Sequence, residues 1–175
     1  MTLRRALLLL PPLLVGVWLA SRWSALPDRF ATSFDFAGRP RDETGRAAFA
    51  ALALGTSSFV ALVFGGLGAW IARVPAAWIN VPDKEWWLAP ERRAATVARL
   101  ATFLEVLGFA LLVLLATLFV VIGETAIAGR AELPSAWLAA PALLVAVTVA
   151  MLAWLLAPFR EHRRAARDRS LRAGG

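Results

Sequence analysis

Cysteine and tyrosine are absent from the 175-residue chain, and histidine and lysine occur once each, at His162 and Lys84. Without cysteine there is no disulfide, no thiolate metal site and no cysteine nucleophile. A lone histidine leaves little material for general acid–base chemistry. Charge is scarce as well: Asp, Glu, Lys and Arg make up 18% of the residues, against about 25% in an average soluble protein. The sequence has no phosphate-binding loop, zinc signature or nucleophile elbow. These absences argue against an enzyme and imply neither a cofactor nor a metal.

What fills the chain instead is apolar. Hydrophobic residues reach 59% and concentrate in four runs, at 6–20, 47–72, 100–123 and 135–159. A soluble core of this size cannot bury four such runs, so the expected class is an all-α integral membrane protein, an antiparallel four-helix bundle. The first run spans only about 22 Å of a roughly 30 Å hydrocarbon layer. It extends to 3–23 if Arg4, Arg5 and Arg22 snorkel toward headgroups. Arg4-Arg5 before an apolar stretch also opens secretory signals, but no A-x-A cleavage pattern follows, so an uncleaved span is expected. Pro11-Pro12 should kink it, because each proline removes a backbone donor. A four-span domain at 1–159 would then be followed by a basic tail at 160–175.

The balance of 19 Lys and Arg against 12 Asp and Glu superficially suits nucleic acid, yet no stacking platform accompanies it and none is expected as a partner. Six arginines lie in the last sixteen residues, directly after an apolar run. If the N-terminus is inside, thirteen cations fall on cytoplasmic segments and six on outer loops, which places both termini in the cytoplasm of a multi-pass inner-membrane protein. Within the tail, Glu161 and Asp168 can pair with Arg164 and Arg172 at helical spacing. Arg160, Arg163, Arg167 and Arg169 are then left to face membrane lipid.

Two loops carry most of the information. In the first outer loop Phe30, Thr32, Phe34 and Phe36 alternate with small or polar residues, the spacing of a short extended segment with its Phe on one face. Residues 37–40, AGRP, supply a turn. In the cytoplasmic loop, residues 80–83 read as a turn and Trp86-Trp87 as interfacial anchors. Pro90 suits the first position of a helix, with Glu91 favourable to its dipole, and Arg92, Arg93 and Arg99 would face anionic headgroups.

The same loops bear a resemblance. Leu26-Pro27-Asp28-Arg29, Ala31-Thr32 with Phe34-Asp35, and Gly38-Arg39-Pro40 are followed by NVPDKEWWLAPE at 80–91. This resembles a bacterial membrane domain of unknown function that forms the N-terminal part of SdpI-type toxin-immunity proteins and also stands alone. The resemblance covers residues 7–100. Its motif positions would be Pro27, Asp28, Phe34, Asp35, Gly38 and Pro40 outside, and Asn80, Pro82, Lys84, Trp87, Pro90 and Glu91 inside. Ser33 stands where the family has histidine, and Asp42-Glu43-Thr44 replaces its usual Trp and Ser. The resemblance implies a location in the membrane and no established activity.

Glu105 is the ionisable residue well inside a span, which makes it a functional candidate by default. No cation stands three or four places from it, so it would reach the interface or take hydrogen bonds from Thr102 or another helix. Ala61, Gly65 and Ala69, flanked by Gly66 and Gly68, form a small-residue face for packing within the monomer. Thr56-Ser57-Ser58 can bond their own carbonyls or a neighbour. The reading these features favour is a sensor or immunity-like interaction protein, with loops 26–40 and 80–91 meeting a protein partner or peptide ligand. The alternatives are a small transporter or accessory subunit with Glu105 as an ion or proton site, and a structural subunit of a membrane complex.

Overall fold

Two adjacent prolines shape the first apolar segment. In the computed structural model, which describes residues 3–173 and the side chains as far as His162, this segment is two helices, α1 (Leu3–Leu7) and α2 (Leu10–Arg22). Pro11 and Pro12 lie in the first turn of α2 and cannot donate to the carbonyls one turn earlier. The helix therefore breaks just before them, where the Leu8 and Leu9 amides close tighter bonds to the Arg5 and Ala6 carbonyls at 3.2 and 3.1 Å. The expected kink is a break, and it lies ahead of the prolines rather than at them.

The other long helices are α3 (Arg46–Trp70), α5 (Pro90–Ile127) and α6 (Ala139–Ala173), with a short α4 (Lys84–Trp87) before α5. Among the described residues, four segments are long and apolar enough to cross a membrane: Leu3–Arg22, Arg46–Trp70, Pro90–Ile127 and Ser135–His162. Helix α5 starts at Pro90, as the missing proline donor suggests, and Glu91 lies in its first turn. Helix α6 follows a 3-10 turn over Ser135–Leu138 and passes through Pro158 without ending.

Helix α5 is the axis of the fold, packing against α2, α3 and α6. Glycines let the helices close on it: a Cβ at Gly108 would lie 2.5 Å from the Phe64 Cβ, and one at Gly123 would lie 2.1 Å from the Trp18 ring. Ala61 is buried beside Leu8 and Leu112, and a Gly65 Cβ would lie 3.7 Å from the Leu8 side chain, so this small-residue face packs within the chain.

Between α2 and α3 the extended segment is a hairpin, with β1 (Arg29–Phe34) paired antiparallel to β2 (Pro40–Gly45). Its register is irregular between Ala31 and Phe34. Phe30 and Phe34 nevertheless line one cleft, and it is Phe36, beyond the strand in the turn, that leaves the expected common face. Phe30 is buried against Phe49 at 5.0 Å between ring centres, Phe34 is half-buried, and Phe36 lies in the turn with 92% of its surface exposed. At the opposite end of the bundle, Val74, Ile79, Val81, Leu88 and Val97 close a second apolar cluster over Phe159 of α6.

Candidate functional site

Glu105 is buried, and its countercharge comes from the far end of the sequence. Arg5 donates from Nε to Glu105 Oε1 at 2.8 Å and from a second nitrogen to the Gly68 carbonyl, also at 2.8 Å. The two side chains retain 25% and 7% of their exposure. Gly68 leaves room for the pair, because a Cβ at that position would lie 2.9 Å from the Glu105 carboxylate and make it shift. Arg4 donates to Thr102 Oγ1 one helical turn away on α5. The expectation that Arg5 snorkels to headgroups is thus corrected, whereas Arg4 stays exposed. Arg5 turns inward because a desolvated carboxylate offers a stronger partner than water at the boundary. The bond that the sequence allowed from another helix is made, by Arg5 of α1, while Thr102 accepts from Arg4 instead.

Around this pair lies a cleft of about 760 Å³ between the α1, α3 and α5 ends, with Arg4, Arg5, Arg93 and Glu105 on its walls. A neighbouring cleft of about 440 Å³ between α5 and α6 shares Arg4, Ala98 and Thr102 with it and adds Arg92 and Arg99.

The loop before α5 folds onto the same end. Asp83 takes a left-handed backbone conformation (φ 50°) that starts α4. Lys84 Nζ donates to the Ala77 carbonyl at 2.7 Å, and Thr96 Oγ1 donates to the Trp87 carbonyl at 2.9 Å. Trp87 packs on Phe159 at 4.7 Å, and Trp86 stacks on His162 at 4.0 Å, so the pair clamps α6 rather than serving only as membrane anchors. The arginines expected to face headgroups also have internal acceptors. Arg92 lies 4.0 Å over Trp86 and donates to its carbonyl, Arg93 donates to the Val74 carbonyl, and Arg99 meets the ring and carbonyl of Trp154. The Trp154 carbonyl is free because Pro158, four residues on, has no amide to donate. These bonds leave donors over: the Nε atoms of Arg93 and Arg99 have no partner among the described residues. Of the remaining motif residues, Asn80, Pro90 and Glu91 are exposed and Pro82 is half-buried.

At the hairpin end the motif residues are mostly local scaffolding. Asp35 Oδ1 accepts from the Ala37 and Arg39 amides at 2.8 and 2.9 Å and so closes the turn. Gly38 takes φ +82° and its carbonyl accepts from the Leu133 amide at 2.9 Å, which ties the turn to the loop between α5 and α6. Asp28 pairs with Arg46 at 3.2 Å, its carboxylate largely exposed. Pro27 and Pro40 are exposed. Trp18 Nε1 and Arg22 Nε both donate to Glu124 Oε1, at 2.9 and 3.1 Å, a junction that ending the third span at 123 left out.

Elsewhere, Ser57 is fully buried and its hydroxyl has no partner among the described residues, contrary to the bond expected of that triplet. Arg160 is exposed, whereas the side chains of Arg163, Arg167 and Arg169 lie outside the described residues. Among the described residues, no three His, Cys, Asp or Glu gather as a metal would need. No protein-family model matches the chain, and no curated protein or solved structure matches it.

Proposed function

We propose that the chain is a non-enzymatic, multi-pass inner-membrane interaction protein of the sensor or immunity-like kind. Both termini are cytoplasmic in this reading, and the β1–β2 hairpin is its recognition element outside. The observation that carries the reading is the contrast within that hairpin. Phe30 is anchored in the bundle and the turn is tied to Leu133, yet Phe36 at the tip is 92% exposed. A loop serving only as a cap gains nothing from holding an aromatic ring outward on a fixed support, whereas a recognition element does. The SdpI-like motif residues 27–40 build that support, which is why the resemblance and the geometry favour the same reading.

The transporter alternative has the cleft beside Glu105 in its favour. Arg5, however, already supplies the countercharge that an ion or proton would bring, which supports a fixed structural pair. Photocrosslinking tests the interaction reading. A benzoylphenylalanine at position 36 should give one discrete adduct in cells, and Gly38→Val in the same chain should abolish it by disordering the turn. A diffuse smear that Gly38→Val leaves unchanged would overturn the reading.

A further inference from the structure

Among the described residues, five arginines line the two clefts that flank the start of α5, against one carboxylate, Glu105. Arg5 neutralises that carboxylate, so four guanidinium charges remain on walls that are otherwise mostly apolar. Ala72, Ala94 and Val97 supply the apolar surface of the larger cleft, and Trp87, Trp154 and Phe159 that of the smaller. Both clefts lie where the apolar segments end, beside Leu3 and Ala72 on one side and Pro158 on the other. Arg4, Ala98 and Thr102 form the wall common to both.

We propose that the paired clefts are a binding site for an anionic phospholipid, its phosphate held at Arg4 with Arg93 and Arg99 on either side and one acyl chain lying in each cleft. Basic pockets between apolar helices suit anionic headgroups, because a guanidinium offers paired donors to phosphate oxygens in a setting of low dielectric. The two-cleft shape matches a molecule with one charged head and two chains. A free phosphate ion would use the arginines and leave the apolar walls uncovered. Lipid held there would also join α1, α5 and α6, the last of which packs mainly on α5.

The full chain, purified in neutral detergent, can be titrated with phosphatidylglycerol, phosphatidylcholine or inorganic phosphate. Binding is followed by native mass spectrometry, and far-UV circular dichroism checks the fold of each variant. Phosphatidylglycerol should bind at least about tenfold more tightly than phosphatidylcholine, and millimolar inorganic phosphate should not displace it. Arg4→Gln and Arg93→Gln should each weaken it about tenfold, the size of one charge-assisted hydrogen bond. Arg73→Gln, an exposed cation at the same end but on neither cleft wall, should not. Ala98→Trp changes no charge and occupies the shared wall, so it should weaken binding as well. Equal affinity for the two lipids, an Arg73→Gln effect as large as that of Arg4→Gln, or unaltered binding to Ala98→Trp would overturn the site. Displacement by inorganic phosphate would overturn the lipid as its ligand.

Discussion

Removing one member of the Arg5–Glu105 pair strands the other with its charge and little water. Breaking a buried pair in this way costs about 3–5 kcal/mol, whereas replacing both partners by apolar side chains of similar size can cost far less. Arg5→Met and Glu105→Leu alone should therefore each destabilise the chain strongly, and the double variant should recover most of the loss. Denaturant unfolding in detergent gives the coupling through a double-mutant cycle. Additive losses would show that the two groups do not depend on one another. The Glu105 candidacy was legible in the sequence, since an acid inside an apolar run has few bland explanations. Its partner was not, because an arginine directly before an apolar run reads as an orientation signal. Gly68 carried the third clue, a glycine just outside the four-residue repeat of small residues that marks helix packing.

The hairpin shows how much an element can hide. β1 was legible from the alternation of Phe30, Thr32 and Phe34, but β2 reads PRDETG, and its Arg41, Asp42 and Glu43 are exposed. A strand exposed on its outer face and held by backbone bonds leaves no hydrophobic period to detect. Gly38 is where the element can be tested. A β-branched residue there would carry φ +82° and would bring its Cβ to 3.2 Å from the Leu133 carbonyl. Gly38→Val should cost about 1–2 kcal/mol locally. Amide exchange over residues 35–45 and at Leu133 should speed up by roughly 5–30-fold, with α3 and α5 unaffected. Unchanged protection would mean that the turn is not anchored through this contact.

For the whole molecule, the helix count was legible because a 3.6-residue helix of apolar side chains needs no partner to be recognised. What was not legible is the hierarchy among the four. Helix α5 carries the fold while α6 is the least enclosed, with 6% of its apolar window buried against 22% for the first two segments. The proposed orientation rests on the excess of cations on alternate loops. Reporter fusions after Gly175 and within 76–88 should behave as cytoplasmic and one near Gly38 as extracytoplasmic. A cytoplasmic signal at Gly38 would refute that arrangement.

The hundred residues between Arg5 and Glu105 also have a meaning in time. At about 5–20 residues per second, a ribosome takes roughly 5–20 seconds to reach the carboxylate after adding the arginine. Throughout that interval Arg5 lacks its carboxylate partner, and under the proposed orientation it is free to hold the first helix in its direction. Once α5 is inserted, the same guanidinium is withdrawn from that task and locked against Glu105 and the Gly68 carbonyl. In the proposed orientation a single residue would thus steer insertion early and secure the finished bundle late, the order of synthesis alone separating its two duties.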